Sequence, residues 1–246
     1  MTVIKILYMF GAFIAAFGLE KMHPFWSRTQ RRLSDFLKNL SFFAMNGLLS
    51  LVFVMPITLS AASFNIWSRE SSGLVMLLAH ILFLDFCIYW WHRANHRFSF
   101  LWRFHQIHHM DEVLDVSSSV RFHAGEVALS ACARAVVIIA FSIPFRDVII
   151  FETVLLVASF FQHSNIGIPK RLDQHLRKII VTPSIHWVHH HADEKDMNHN
   201  FCLLISVWDR VFGTASKAVT NNDTALGIPN QQDDSFFKLL WLPFRR

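Results

Sequence analysis

Five long apolar stretches alternate with shorter polar segments along the chain. The stretches cover residues 3–19, 40–62, 72–91, 127–144 and 147–163. A helix that crosses a bilayer needs about 20 predominantly apolar residues, so the pattern predicts about four to five membrane helices and an all-α fold. The first stretch has neither a strongly basic segment before it nor a small-residue cleavage site after it. We therefore interpret it as a retained helix and not as a signal peptide.

Basic residues predict how these helices are oriented. The polar segment before the third stretch contributes only Arg69, whereas the segment between the first two stretches contains Lys21, Arg28, Arg31, Arg32 and Lys38. Short loops rich in Lys and Arg stay in the cytoplasm, so the ends of the third and fifth stretches, Trp91 and His163, are also predicted there. The chain has no internal repeat, low-complexity tract or flexible linker. We expect a single membrane-embedded domain over residues 1–246, with a cytoplasmic helical cap.

Composition supports a membrane protein. Hydrophobic residues make up 53% of the chain, charged residues make up 17%, and the mean hydropathy is +0.34. The net charge is +5, but the basic residues form no stripe interleaved with stacking aromatics, which argues against nucleic-acid binding. Cys87, Cys132 and Cys202 are far apart, so they indicate neither a disulfide framework nor a zinc-binding Cys pair. Because no Gly-rich nucleotide motif occurs, we expect electrons for any redox reaction to come from a separate protein.

The histidines are clustered at predicted helix ends. His92 and His96 are one helical turn apart, and the segments "HQIHH" and "HWVHH" repeat histidines at spacings of three and four residues. These spacings place side chains on one helix face, where several imidazoles can reach one ion. Two metal ions with four or five nitrogen ligands each need roughly eight to ten imidazoles. The candidate ligands are His92, His96, His105, His108, His109, His163, His186, His189 and His190.

Ligand type narrows the choice of metal. Imidazole suits iron, zinc or copper. Structural zinc sites usually contain Cys ligands, and zinc hydrolases usually pair the ligands with a carboxylate, as in H-E-x-x-H, which this chain lacks. Two irons that react with O2 beside a lipid-filled slot fit better. The alternative is a membrane metal-binding protein, either of the zinc hydrolase or transporter type or without catalysis.

Asp85 lies upstream of the first histidines on the same predicted helix face. It shares this face with Tyr89, His92 and His96. A carboxylate inside an apolar helix is costly unless it is paired or faces a polar cavity. We expect Asp85 to accept the second ring proton of a metal-bound histidine; the alternative is a pair with a neighbouring helix. His80 is off this face and is interpreted as a packed, neutral histidine.

With these motifs, residues 80–215 resemble the fatty acid hydroxylase/sterol desaturase superfamily. "DFCIYWWHRANH" is similar to the first histidine box with its upstream Asp, "HQIHH" to the second and "HWVHH" to the last. "SSSVRFHAGE" resembles the Arg-x-His-Pro-x-Glu segment, and "NFCLLISVWDRVFGT" resembles the stretch that ends in Trp-Asp-Arg-x-Phe-Gly-Thr. Ala124 stands where the family usually has Pro, and Cys202 where it usually has Gly.

The resemblance implies a membrane di-iron oxidoreductase. Such an enzyme hydroxylates or desaturates a lipid with O2, using electrons from NAD(P)H that arrive through a separate reductase and carrier protein. It implies metal binding by the nine histidines and places Glu126 and His123 beside them; His123 is either a supporting residue or a tenth ligand. Whether the substrate is a sterol, a carotenoid, a fatty acyl chain or an ether lipid stays open.

Other residues in these motifs receive structural interpretations. His191 points away from His190 and is expected in solvent; His23 and His175 are expected at the surface, and His199 is not assigned as a ligand. Trp208 is expected to be buried, with Asp209 and Arg210 as a charge pair. A basic surface either docks an acidic electron carrier or contacts anionic headgroups. That surface consists of Arg28, Arg31, Arg32, Arg93 and Arg97.

Overall fold

The computed structural model describes residues 2–26, 32–64, 66 and 73–245. All regular secondary structure in these residues is helical, and the extended contacts are isolated bridges. The all-α prediction is therefore confirmed. Arg28, Arg31 and Arg69, which entered the prediction of orientation and docking, lie outside the described residues.

The helices follow the predicted order. The first half of the described chain contains α1 (Thr2–Met22), α2 (Leu33–Leu49), α3 (Met55–Ser63), α4 (Leu74–Arg97) and α5 (Ser99–His109). A 3-10 turn at Val116–Val120 precedes α6 (Ala124–Phe141), α7 (Phe145–His163), α8 (Lys170–Leu176), α9 (Pro183–His189), α10 (Glu194–Met197), α11 (Val207–Val211) and α12 (Phe236–Trp241). A second 3-10 turn, Leu242–Phe244, follows α12.

Helices α2 and α3 form one continuous rod through a π-helical turn at Ser50–Val54. Pro56 lies at the start of α3 and has no backbone N–H to donate to the preceding turn. The amide of Met55 instead donates to the carbonyl of Ser50, five residues back, which widens the helix by one residue. The π-helical turn therefore interrupts the α-helical hydrogen-bond pattern of the second apolar stretch, but the helix continues from Leu33 to Ser63.

Three helical segments of the described chain are long and apolar enough to cross a membrane. They are Leu33–Ser63, Leu74–Arg97 and Ala124–Phe141. Helices α1 and α7 cover the other two predicted apolar stretches, and α7 contains the charged residues Arg146, Asp147 and Glu152. The last two apolar stretches correspond to α6 and α7, which residues 142–144 join.

The helices run so that the ends that carry the candidate ligands meet. Residues of α4, α6 and α7, including Leu84, Ile138 and Phe151, form the apolar core between the long helices. The last turns of α4 and α7 and the first turn of α6 meet at one end of this core. Helix α5 packs on α4 and α9 packs on α7 at the same end. The side of the membrane on which this end lies stays a prediction.

Candidate metal centre

The nine predicted histidines converge at this end of the helices. Helix α4 provides His92 and His96 in its last turns, and α7 ends at His163. Helix α5 provides three histidines, and α9 with the residue after it provides three more: His105, His108, His109, His186, His189 and His190. Eight of the nine side chains are buried, and only His96 is half-buried.

The nine side chains form two groups, and within each group the candidate ligand nitrogens lie within 4.8 Å of one another. One group consists of His92, His96, His105, His109 and His189. The other consists of His108, His163, His186 and His190. Each group can hold one metal ion, which matches the predicted count of four or five imidazoles per ion.

Spacing decides which group each histidine joins. Histidines four residues apart join the same group, as His105 and His109 do, and as His186 and His190 do. The intervening histidines at a spacing of three, His108 and His189, cross to the other group. The adjacent pairs in "HH" are therefore divided between the two groups, because consecutive side chains on a helix point about 100° apart. Each of the last two boxes therefore contributes to both groups, whereas the spacing had predicted that the histidines of one helix face reach one ion.

The two groups are immediate neighbours. The ring of His109 stacks on the ring of His190 in the other group, with centroids 4.5 Å apart and an interplanar angle of 20°. The rings of His108 and His109, one from each group, lie with centroids 5.6 Å apart. Ions held in these groups would be separated only by a shared wall of imidazoles.

Backbone carbonyls and one carboxylate fix the tautomers of three rings in the five-histidine group, those of His92, His105 and His189. His92 Nδ1 lies 2.8 Å from the carbonyl oxygen of Phe201, and His189 Nδ1 lies 2.8 Å from that of His199. A carbonyl oxygen only accepts hydrogen bonds, so each Nδ1 carries the proton and donates it. Each Nε2 is then left with a lone pair and no proton, which is the form that binds a metal.

These lone pairs point at one another. His92 Nε2 lies 3.1 Å from His105 Nε2 and 3.0 Å from His189 Nε2. His105 Nδ1 lies 2.7 Å from Glu126 Oε1, so its Nε2 is also unprotonated when this nitrogen donates. Three acceptor nitrogens at this separation repel one another unless a cation lies between them. The contacts therefore fit a metal ion.

The four-histidine group repeats the arrangement. His108 Nδ1 lies 3.2 Å from the carbonyl oxygen of Arg121, and His163 Nδ1 lies 2.8 Å from that of Ser159. Their Nε2 atoms are 3.0 Å apart, and His186 Nε2 lies 2.9 Å from His163 Nε2. The second group therefore fits a cation for the same reason.

Burial keeps the imidazoles of the short helices neutral. Loss of solvation lowers the pKa of His189 to about 3, and it lowers the pKa of His186 and His190 well below the ordinary value, with neighbouring histidines adding to the effect. Neutral imidazoles are the ligand form, so no proton has to be removed before a metal binds at neutral pH.

Glu126, at the start of α6, makes the contact that we had assigned to Asp85. Its Oε1 accepts a hydrogen bond from His105 Nδ1 over 2.7 Å, and Asn95 Nδ2 lies 3.4 Å from the same oxygen. A carboxylate in this position orients the ring and raises its basicity toward a metal. This contact therefore agrees with the predicted placement of Glu126 beside the ligands.

Asp85 was predicted to hydrogen-bond to a metal-binding histidine, and this prediction was wrong. Asp85 Oδ2 accepts hydrogen bonds from Trp208 Nε1 over 2.9 Å and from the amide of Ile205 over 3.2 Å. One helical turn closer to the histidines, the hydroxyl of Tyr89 contacts Thr214. Asp85 therefore holds the segment before α11 against α4 and does not contact a ligand. Its position on the histidine face was correct, but the segment from 201 to 214 covers that face.

His123 caps a helix. Its Nδ1 accepts a hydrogen bond from the amide of Gly125 over 2.9 Å, and its Nε2 donates to the carbonyl of Leu240 over 3.1 Å. Both ring nitrogens are thus occupied at the start of α6 and at α12. Neither nitrogen contacts the nine histidines, so these contacts do not fit a tenth ligand, and support of the site by His123 would pass through the first turn of α6, which carries Glu126.

His191 is buried, and our expectation of a solvated side chain was wrong. Its Nδ1 lies 2.9 Å from Asp196 Oδ2 and its Nε2 lies 2.8 Å from Thr220 Oγ1. It connects the third histidine box to two later segments. His23 and His175 are exposed as expected. His199 contributes its carbonyl oxygen rather than its ring.

His80 and the Trp-Asp-Arg motif have partners that were not predicted. His80 is buried as expected, and its Nδ1 lies 2.7 Å from Asp147 of α7. Asp209 is buried and accepts from the amides of Phe201 and Cys202, and Arg210 donates to backbone carbonyls. The expected Asp209–Arg210 charge pair was therefore wrong. Asp209 instead fixes the segment whose Phe201 carbonyl orients His92.

Arg121 is a structural residue of the site whose role the sequence did not reveal. Its guanidinium is fully buried, donates from Nε to the carbonyl of Ile107 over 2.8 Å and pairs with Asp233. The carbonyl of Arg121 accepts from His108 Nδ1. Arg121 thus connects the second histidine box to a segment more than 100 residues later.

A cavity of about 290 Å³ leads from the histidines into the space between the helices. His92, His105, His108 and His163 close one end of it. Its walls are largely apolar and come from several helices, including Val54, Ile88, Leu155 and Leu156. The volume is near the lower limit of small-molecule sites.

Comparison with known proteins identifies the family. The fatty acid hydroxylase family model matches residues 77–214. An alkylglycerol monooxygenase of Danio rerio is 30% identical over 190 residues, which cover 74% of this chain and 41% of the relative. Ornithine lipid hydroxylase OlsE of Rhizobium tropici is 24% identical over 182 residues, covering 74% of this chain and 54% of the relative.

A third relative extends the match. Cholesterol 25-hydroxylase of Rattus norvegicus is 27% identical over 216 residues, covering 79% of this chain and 64% of the relative. The chain thus spans less than two thirds of the length of each of these three relatives. No solved structure matches it. The matched region contains all nine clustered histidines and more than half of the chain, and the protein therefore belongs to the fatty acid hydroxylase family.

Proposed function

We propose that the protein is a membrane-bound di-iron enzyme that hydroxylates a lipid with O2. The observation that carries this proposal is the convergence of nine imidazoles in two adjacent groups beside a largely apolar cavity, with Nε2 facing Nε2 in both groups. Relatives named as lipid hydroxylases and monooxygenases support it. The choice of iron follows from an all-imidazole ligand set and from the oxidative chemistry in those names.

When bound, the iron ions supply the redox chemistry that inserts one oxygen atom of O2 into a C–H bond and releases the other as water, at the expense of two electrons and two protons. The residues of the chain orient the ligand rings and position the lipid. Glu126 and the carbonyls of Phe201, His199, Arg121 and Ser159 fix the ligand rings. The apolar walls of the cavity hold the lipid carbon beside the histidines and exclude water.

The electrons come, in this proposal, from NAD(P)H through a separate reductase and carrier. His96 is the half-buried ligand, and it lines a small surface pocket of about 250 Å³ together with Trp102. This pocket lies outside the lipid cavity, so a carrier can approach the five-histidine group without displacing the substrate. Arg97 is exposed nearby on α4 and adds positive charge for an acidic carrier or for anionic headgroups.

The histidine end of the helices faces the cytoplasm in this proposal. The basic residues of the first polar segment support that orientation. Reporter fusions after residue 110 and at the C-terminus should both report cytoplasm, and a fusion near residue 67 should report the opposite side. If the fusions after residues 110 and 67 report the same side, α4 does not span the membrane.

Metal analysis and labelled oxygen test the enzyme. Protein purified anaerobically from iron-replete cells should contain about one iron per histidine group. Lipids from cells with the intact protein, grown under 18O2, should contain a hydroxyl that is labelled and that is missing without the protein. Stoichiometric zinc with no iron, even after reconstitution with ferrous ion, would contradict the oxygenase and favour the zinc hydrolase or non-catalytic alternative.

A further inference from the structure

The cavity beside the histidines contains polar atoms that lack hydrogen-bond partners. Gln162 is 1% exposed, and neither its Oε1 nor its Nε2 has a partner. Glu126 Oε2 and Arg134 Nε are also buried without one, and Glu152 Oε1 is buried with only an ion-pair contact to Arg134. All four side chains line the same cavity. Unsatisfied polar atoms are costly in a protein interior, and a wall that concentrates them is suited to a molecule that carries hydrogen-bonding groups.

Arg134 and Glu152 form an ion pair inside this cavity. Arg134 Nη2 of α6 lies 3.0 Å from Glu152 Oε1 of α7, and the side chains are 17% and 23% exposed. The pair leaves Arg134 Nε without an acceptor, and Glu152 Oε1 keeps an unused lone pair beside its contact with Arg134 Nη2. One donor and one acceptor are therefore available at the same place, between two helices that both line the cavity.

The charges at this place favour a neutral group over an anion. Glu152 already balances Arg134, and Glu126 adds a second carboxylate to the same cavity. A carboxylate or phosphate would have to approach both of these carboxylates. A hydroxyl instead makes both missing hydrogen bonds, because its oxygen accepts from Arg134 Nε–H and its proton is donated to Glu152 Oε1.

The pair also lies at a defined distance from the histidines. Glu126, Ser130 and Arg134 follow one another at intervals of four residues along α6, and all three line the cavity. Glu126 contacts the ligand His105. Eight residues of helix separate Glu126 from Arg134, which is about 12 Å along the axis.

Arg134 is also the boundary to a second apolar space. A cleft of about 430 Å³ between α4 and α6 shares Ile88, Trp91, Ser130 and Arg134 with the cavity. A lipid longer than the cavity can therefore extend past Arg134 into the cleft, with its polar group between the two spaces.

We infer that the protein acts on a lipid that bears an uncharged hydroxyl group, that Arg134 and Glu152 bind this hydroxyl, and that the oxidised carbon lies beside the histidines, roughly two turns of α6 away. The inference deepens the proposed lipid hydroxylase and rests on it for the oxidation step. The hydroxyl-binding part stands on the cavity alone, so binding measurements test it separately from turnover.

The test compares the affinities of the protein for three tritiated probes of equal chain length: 1-hexadecanol, hexadecane and hexadecanoate. Binding to the purified full-length protein in detergent is measured by scintillation proximity. The wild-type protein should bind 1-hexadecanol about tenfold more tightly than hexadecane, which corresponds to one or two additional hydrogen bonds, and should bind hexadecanoate more weakly than the alcohol. Equal affinities for the alcohol and the alkane, or no binding of the alcohol, would overturn the inference.

The variant Arg134→Met/Glu152→Met separates recognition from folding. Replacement of a buried ion pair by apolar residues is often neutral or stabilising, so this double variant should fold and bind metal. It should bind 1-hexadecanol and hexadecane equally. The matched control, Val136→Met/Val154→Met, adds the same side chains two residues away on the exposed faces of α6 and α7 and should keep the tenfold preference. A preference that survives in the Arg134/Glu152 variant would overturn the inference.

Failure of the two proposals can be told apart. A protein that prefers the alcohol but contains no iron and forms no labelled product contradicts the oxygenase and leaves the hydroxyl site intact. A protein that forms labelled product but shows no preference for the alcohol overturns the hydroxyl site and leaves the oxygenase intact.

Discussion

Glu126 Oε1 and His105 Nδ1 are 2.7 Å apart, and this contact connects the first turn of α6 to the five-histidine group. Both side chains also line the cavity of about 290 Å³. The carboxylate therefore lies where the candidate ligands and the cavity meet. A change in its charge should affect the ligand before it affects the fold.

Glu126→Gln should lower turnover on the order of 10–100-fold while most of the iron stays bound, because the amide still accepts the hydrogen bond but no longer polarises the His105 ring. Turnover per bound iron is the quantity to measure. Glu112→Gln is the control, since Glu112 is exposed and its contact is to the amide of Asp233. Turnover per iron equal to wild type in Glu126→Gln would contradict the assigned role.

The division of the histidines into a group of five and a group of four predicts unequal metal loss. His186→Ala reduces the smaller group to three imidazoles, whereas His105→Ala leaves the larger group with four. We expect His186→Ala to lose about one iron per chain and His105→Ala to keep more iron, while both lose activity. Elemental analysis checks this, with exposed His175→Ala as the control. Equal iron loss in the two ligand variants would argue against two separate groups.

Helical spacing predicted eight of the nine clustered histidines, because this spacing is a local property of a helix. Histidines four residues apart, such as His92 and His96, approach one another whatever the rest of the fold does. His163 is not part of any box, and its position at the end of an apolar stretch was sufficient to place it with the others. The five apolar stretches likewise mark the long helices.

The supports of the ligands were harder to predict, since most of them are backbone carbonyls. The carbonyls of Phe201 and His199 orient two rings, and any residue type in those positions offers the same atom. The roles of Asp85 and Glu126 could not be separated from spacing alone, because α4 and α6 both present a carboxylate toward the site. Which of the two carboxylates reaches a ligand depends on the segment 201–214. No hydrophobic periodicity in the sequence predicts the path of this segment.

Asp85 is expected to stabilise the fold through its hydrogen bonds and not to orient a metal ligand. Asp85→Ala removes the acceptor of the Trp208 indole and of the Ile205 amide, so it should lower the free energy of unfolding by about 1–3 kcal/mol. Asp85→Asn keeps an acceptor oxygen and should be closer to wild type. Thermal unfolding of the iron-loaded protein measures the change. Normal unfolding together with loss of iron in Asp85→Ala would restore the original prediction that it orients a ligand.

His191 offers a comparison between two histidines that the sequence treats alike. His191→Ala leaves Asp196 and Thr220 without their shared partner and should destabilise the protein by about 1–3 kcal/mol. His175 contacts only the carbonyl of Arg171 in its own helix and is exposed, so His175→Ala should have little effect. Melting temperatures of the two variants check this. Equal values would mean that His191 is solvated after all.

Asp233 should stabilise the metal site from a distance through Arg121. The carboxylate accepts from Arg121 Nη1 over 2.9 Å and also contacts Nη2, and Lys38 Nζ lies 2.5 Å from it. The Arg121 side chain is fully buried, so a neutral partner leaves a buried charge poorly balanced. Asp233→Asn should therefore lower the free energy of unfolding by about 1.5–3 kcal/mol.

The same substitution should also reduce iron in the four-histidine group. Arg121 holds the carbonyl of Ile107 with its side chain and His108 with its own carbonyl, so a displaced Arg121 misaligns a ligand of that group. Asp234→Asn is the matched control: Asp234 is the next residue, its partner is Lys238, and its side chain is 43% exposed. We expect Asp234→Asn to keep the wild-type melting temperature and iron content. If Asp233→Asn matches this control in both measurements, the Arg121–Asp233 pair does not support the metal site.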